Sequence, residues 1–134
     1  MCEQRRIWHD WSREPEWINY KDHRPFKSDV TRAQAIKKTE NKVPSRYAGN
    51  VNRRQVELDC FNQGVANPEL YECTRGGNED TVIFWMHCEF EVGFSDGEPT
   101  EYMVVKFQRQ ASKTTIHGYP VTETELRDKY GIKL

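Results

Sequence analysis

No apolar run in this chain approaches the roughly 18 residues a membrane-crossing helix needs, so no membrane partner is expected. The opening residues, MCEQRRIWHDW, lack the apolar middle of a signal peptide, and a cytoplasmic location is expected. The four cysteines (Cys2, Cys60, Cys73 and Cys88) include no close pair, and the spacings of 13 and 15 residues among the last three are not those of a zinc module. His87 and Cys88 would also point to opposite faces of one strand. Buried free thiols, no metal and no cofactor are therefore expected. Phosphate-cradling glycine loops, nucleophile motifs, internal repeats and low-complexity segments are likewise missing. Hydrophobic residues make up only 36% of the chain against 31% charged, which leaves room for an extended segment beside a compact part.

What remains is one domain of 134 residues, long enough to bury a core without covalent or metal staples. Its net charge of −1 hides a division: residues 1–54 carry 13 Lys/Arg against 7 Asp/Glu, whereas residues 55–134 carry 7 against 14. Such asymmetry speaks of partners or of self-docking, including a homo-oligomer in which the basic part of one chain meets the acidic part of another.

The strongest pattern is TVIFWMHCEFEVGFSDGEPTEYMVVKFQRQ, residues 81–110. Val82, Phe84, Met86, Cys88, Phe90, Val92 and Phe94 alternate on one face, and Asp96-Gly97 is a favoured hairpin turn. Closing the turn there sets Phe90 against Met103, Cys88 against Val105 and Met86 against Phe107. The opposite face carries Ile83, Trp85, His87, Glu89 and Glu91 beside Tyr102, Val104, Lys106 and Gln108, with His87 expected to face Lys106. That face is too apolar to be left in water.

Around the hairpin, Gln55–Asn62 alternates like a strand, and Leu70–Arg75 reads as a short one. The fold expected is α+β: a four-stranded antiparallel meander with the long hairpin 81–110 at its centre. Residues 28–41 read as a helix, residues 43–54 as a basic loop. Ile7, Trp8 and Trp11 have helical spacing, and Pro15 can open a second short helix. The N-terminal aromatics are expected to cover Ile83, Trp85, Tyr102 and Val104. Thr114–His117 reads as a short strand turned by Gly118-Tyr119-Pro120. Thr122-x-x-Glu125 is a capping box with Val121 and Leu126 as its staple, so a short helix ending at Gly131 closes the chain.

Three functions compete. The first is a non-enzymatic protein-binding module of adaptor, inhibitor or immunity type, with Trp8, Trp11, Trp17, Trp85 and Tyr102 as contact residues. The second is nucleic-acid binding through segment 21–54, where Lys37, Lys38, Lys42, Arg46, Arg53 and Arg54 would meet phosphates and Tyr47 would stack on bases. The third is a small enzyme with His87, Glu89, Glu91 and Lys106 exchanging protons on the outer hairpin face. The same ladder also serves as a register-setting set of cross-strand charges. The first reading leads, because no catalytic motif accompanies the ladder and no nucleic-acid-binding motif accompanies the basic segment.

Overall fold

The computed structural model describes residues 7–19, 45–95 and 97–134. Among them the chain is a mixed α+β domain with three helices and two sheets. In chain order these are β1 (Glu16–Trp17), β2 (Arg46–Tyr47), α1 (Arg53–Ala66), α2 (Pro68–Tyr71), β3 (Thr81–His87), β4 (Gly93–Ser95), β5 (Glu98–Thr100), β6 (Tyr102–Gln110), β7 (Lys113–Val121) and α3 (Glu123–Asp128). The helix expected over 28–41, together with Lys37, Lys38, Lys42 and the turn residue Asp96, lies outside the described residues.

The main sheet runs β1-β7-β6-β3, and its β1 edge is parallel, so it is a mixed sheet rather than a meander. β3, β6 and β7 are antiparallel neighbours. A second small sheet joins β2, β4 and β5. The turn closes where the sequence places it, with Ser95 opposite Glu98, but only for the short β4–β5 hairpin. In the main sheet Met86 pairs with Met103 and Val82 with Phe107, a register shifted by four residues from the expected one. Four is even, so each side chain keeps its face. His87 consequently faces Tyr102, and Lys106 faces Ile83, which corrects the expected His87–Lys106 pair.

The segment read as the first strand of the meander is helix α1. Its apparent alternation, Val56, Leu58 and Cys60, contains the four-residue step that a helix also uses. Val56, Cys60, Phe61 and Gly64 form the buried stripe, and Asn52 caps the helix by accepting from the Gln55 amide at 3.2 Å. The next expected strand is α2, a single turn with proline in its opening positions. Only the residues after it extend, where Glu72 bridges to Phe84 and the Cys73 amide donates to Ile83 O at 2.8 Å. At the N-terminus residues 7–10 make one tight helical turn, and the chain after Pro15 enters β1, not a second helix.

β7 is longer than its sequence suggests, because Gly118 and Pro120 lie within the strand. The Gly118 N–H points away from β6, to the Glu57 carboxylate at 2.8 Å. By the strand's period of two, the missing N–H of Pro120 falls on that same edge, which β1 does not reach, since its pairs stop at Ile116.

Both faces of the main sheet are covered. On one, Val82, Phe84, Met86, Met103, Val105, Phe107 and Ile116 meet α1 together with Trp8 and Trp11. Trp8 stands edge-on to Phe84 at 5.6 Å and Trp11 edge-on to Phe107 at 5.1 Å. On the other, Ile83, Val104 and Val121 meet Cys73, Leu126 and Tyr130, so the C-terminal helix, not the N-terminal tryptophans, covers the outer face. The rings of residues 7–11 are drawn to the face that already holds Phe84 and Phe107, where aromatic edges and faces complement each other.

The capping box is formed as the sequence indicates. Thr122 Oγ1 accepts from the Glu125 amide at 3.1 Å, and the Glu125 carboxylate accepts from the Thr122 amide at 2.9 Å. Gly131, at φ 73°, ends the helix, and the Ile132 amide donates back to Leu126 O at 2.9 Å. Thr122→Ala is expected to cost about 1 kcal/mol in urea unfolding, the usual value of such a cap; an unchanged midpoint would mean that burial of Leu126 alone holds α3.

Candidate functional site

The register shift is absorbed between β3 and β4. The Cys88 amide donates to Glu101 O at 2.8 Å, and the Val92 amide donates to Thr100 O at 2.9 Å. The residues between leave the ladder, and Glu89 turns the chain with a left-handed φ of 64°, a conformation that costs a side-chain-bearing residue free energy. Phe90, expected in the core opposite Met103, is instead 47% exposed. Val92 and Phe94 then return to buried positions. A strand glycine is the sequence signal that marks such a departure. Gly93 stands at its end, where a Cβ would lie 2.2 Å from Arg46 O.

Two open grooves flank this excursion. The larger, about 660 Å³, is acidic: Glu91, Glu98, Glu101 and Glu123 line it with His87 and Tyr102. The His87 ring lies flat over Tyr102 at 4.4 Å, and its Nε2 is 2.8 Å from Glu101 Oε1. Desolvation, then the charges of Glu123 and Glu101, push the Tyr102 phenol above its ordinary value. The smaller groove, about 390 Å³, is lined by Val51, Val56, Met86 and Phe90, with Asp59 at its edge. Cys88 also lines it, but burial pushes its thiol up to about 12, which keeps it protonated and a poor nucleophile.

The residues singled out from sequence are thus dispersed. Trp8 and Trp11 are 3% and 6% exposed, within the core. Trp17 is half-buried and donates to Glu57 at 2.9 Å. Trp85 donates to Leu70 O at 3.2 Å and lies 6.4 Å from Tyr102, so these two alone of the five aromatics are neighbours on the outer face. Of the proposed proton-transfer ladder, His87 and Glu91 share the acidic groove. Glu89 has left the strand, and Lys106 lies over the Tyr119 ring at 5.7 Å. Of the basic set, Tyr47 is fully buried and donates to Glu57, so its ring is closed to bases. Arg53 and Arg54 lie over the Trp17 ring at 5.4 and 5.7 Å, and Arg46 belongs to β2. Among the described residues no three His, Cys, Asp or Glu side chains are placed to hold one ion.

Sequence reasoning did not find Phe90 as an exposed residue, nor Glu98, Glu101 and Glu123 as neighbours of His87. Glu98 lies in β5 and Glu101 directly after it, while Glu123 comes from α3, outside the 81–110 stretch. No family model, curated protein or solved structure matches this chain.

Proposed function

We propose that this chain is a non-enzymatic binding protein that acts through a protein–protein interface centred on Phe90. The observation that carries the reading is Phe90 itself: a large apolar ring 47% exposed, lifted off a strand on a backbone that Glu89 holds in a left-handed turn. Aromatic rings presented in this way are the usual anchors of interfaces, and grooves beside them receive the partner's side chains. Four glutamates on one side and an apolar groove on the other suit a partner that offers basic residues beside an apolar one.

The test is affinity capture with the wild type and with Phe90→Ala, quantified protein by protein. A partner retained by the wild type is expected to be lost from the variant, an anchor of this kind contributing about 2 kcal/mol or more, roughly 30-fold in affinity. Thermal unfolding of Phe90→Ala is expected to match the wild type, since the ring lies outside both cores. Equal capture by both proteins would place the interface elsewhere.

A further inference from the structure

Glu57 is 2% exposed, yet it is a carboxyl group on a helix face that meets a sheet. Three donors from three different strands converge on it. Trp17 Nε1 of β1 donates to Oε1 at 2.9 Å, the Gly118 amide of β7 donates to Oε1 at 2.8 Å, and the Tyr47 hydroxyl of β2 donates to Oε2 at 2.8 Å. Among the described residues no strand pairs with this edge of β7 beyond Ile116, and the carboxyl takes that place. Its fit is close: a Cβ at Gly118 would lie 3.1 Å from Glu57 Cγ and 2.6 Å from Val104 O. β1 and β2 are two residues each. Lys113 also pairs with Glu16 and Ser45 with Ser95, and Glu57 is the group that ties both strands to the same helix.

We infer that Glu57 is a proton-operated fastener: its neutral carboxyl holds β1 and β2 on the body, and its ionisation releases them. The neutral group keeps Oε1 as the acceptor of two N–H groups, while its acid O–H takes over the bond to the Tyr47 oxygen in place of the phenol's own proton. The hydrogen bonds cannot offset the desolvation of a charge at full burial. Among the described residues the groups facing the carboxyl are few. From α1 itself come Arg53, whose charge favours ionisation, and the Cys60 thiol; from β2 comes Tyr47, beside which Cys88 also lies. β1 offers Trp17, while its other residue, Glu16, pairs with Lys113 at 3.1 Å on the exposed side. On β7, His117 lies on the other face of the strand from Gly118. Desolvation outweighs the donors and Arg53 together and pushes Glu57 from 4.5 up to about 7.

The sign follows from linkage. The folded carboxyl holds its proton more tightly than the released one, so the fastening is complete below pH 4.5, weakens as pH rises through about 7, and stays constant above. The experiment is amide hydrogen exchange between pH 4.5 and 8, corrected for the intrinsic rate. The reporters are the Ile18 amide, bonded to Ile116 O, and the Ala48 amide, bonded to Val92 O. Their opening equilibria are expected to rise about a hundredfold across that range, while amides of β6 change little. In Glu57→Gln, which keeps the shape of the neutral acid, the rise is expected to vanish. A flat wild-type profile, the same rise in Glu57→Gln, or an equal rise in β6 would each overturn the inference. Should the glutamine variant not fold, carbon-13 titration of the wild-type Glu57 carboxyl decides: a midpoint near 7 supports the fastener, and one below 5 refutes it.

Discussion

Met103→Asp is expected to leave no folded protein. Met103 is fully buried in β6, the strand that pairs on both sides, with Met86 across from it on β3 and Pro120 on β7. Its side chain joins the face that holds Phe84, Phe107 and the two buried tryptophans. A carboxylate placed there has no donor to meet it, and even the protonated acid gives up its water for hydrocarbon. The cost exceeds about 4 kcal/mol, a large share of the 5–15 kcal/mol that keeps a domain folded. Met103→Leu, a volume-conserving swap, is expected to cost less than about 1.5 kcal/mol and serves as the control. The measurement is a circular-dichroism melt of both variants. A cooperative transition for the aspartate variant close to that of the wild type would mean that position 103 does not face the core.

Gly64→Ala carries the second large effect. The helix α1 approaches the sheet so closely at this point that an added Cβ would lie 2.3 Å from Phe84 Cγ and 2.7 Å from Phe84 Cβ. No rotamer change of a single ring relieves both, so the helix must lift from β3. Overpacking of this kind costs about 3 kcal/mol, against which the gain in helix propensity from alanine is about 1 kcal/mol. Phe84→Ala on its own is expected to cost about 3–5 kcal/mol, the ring being fully buried between Trp8, Phe61 and Phe107. Combining the two tests the geometry directly. Gly64→Ala is expected to cost less in the Phe84→Ala background than in the wild type, with a coupling of at least about 1 kcal/mol. Strict additivity in denaturant unfolding would mean that helix and ring do not touch.

The parts of the fold legible in the sequence are those fixed by neighbours in the chain. The cap of α3 rests on Thr122 and Glu125, three residues apart, and the turn of the β4–β5 hairpin on consecutive residues. Both are local chemistry and both are present. The register of the main sheet was not legible because the excursion removes an even number of positions, and an even shift leaves the alternation of Val82 through Phe94 unbroken. For α1, Val56 and Cys60 satisfy helix and strand periods alike; Phe61 beside Cys60 in the buried stripe and the Asn52 cap fit the helix alone. Gly118 and Pro120 resemble a turn in isolation; the carboxyl of Glu57, 61 residues away, is what makes that stretch a usable strand edge. Within the candidate site, His87, Glu91 and Tyr102 stand out in the sequence because they share the hairpin. Glu98 and Glu101 lie in the same stretch, Glu101 directly before Tyr102, and only Glu123 reaches them from outside it. Glu57 itself reads as one more polar residue of a charged segment, since nothing local marks a glutamate for burial.

The segment around Phe90 has one more consequence. Its two ends are held to adjoining carbonyls, Glu101 O and Thr100 O, so the chain leaves and re-enters the structure at almost one point. A loop pinned in that way can change length at little thermodynamic cost, a doubling adding about 0.6 kcal/mol of closure entropy. Its composition is likewise uncoupled from both cores, whose residues begin again only at Val92. Residues 89–91 can therefore diversify while the scaffold is conserved, as the variable loops of recognition proteins do. The same property makes this the position at which a foreign peptide could be grafted for display without rebuilding the domain beneath it.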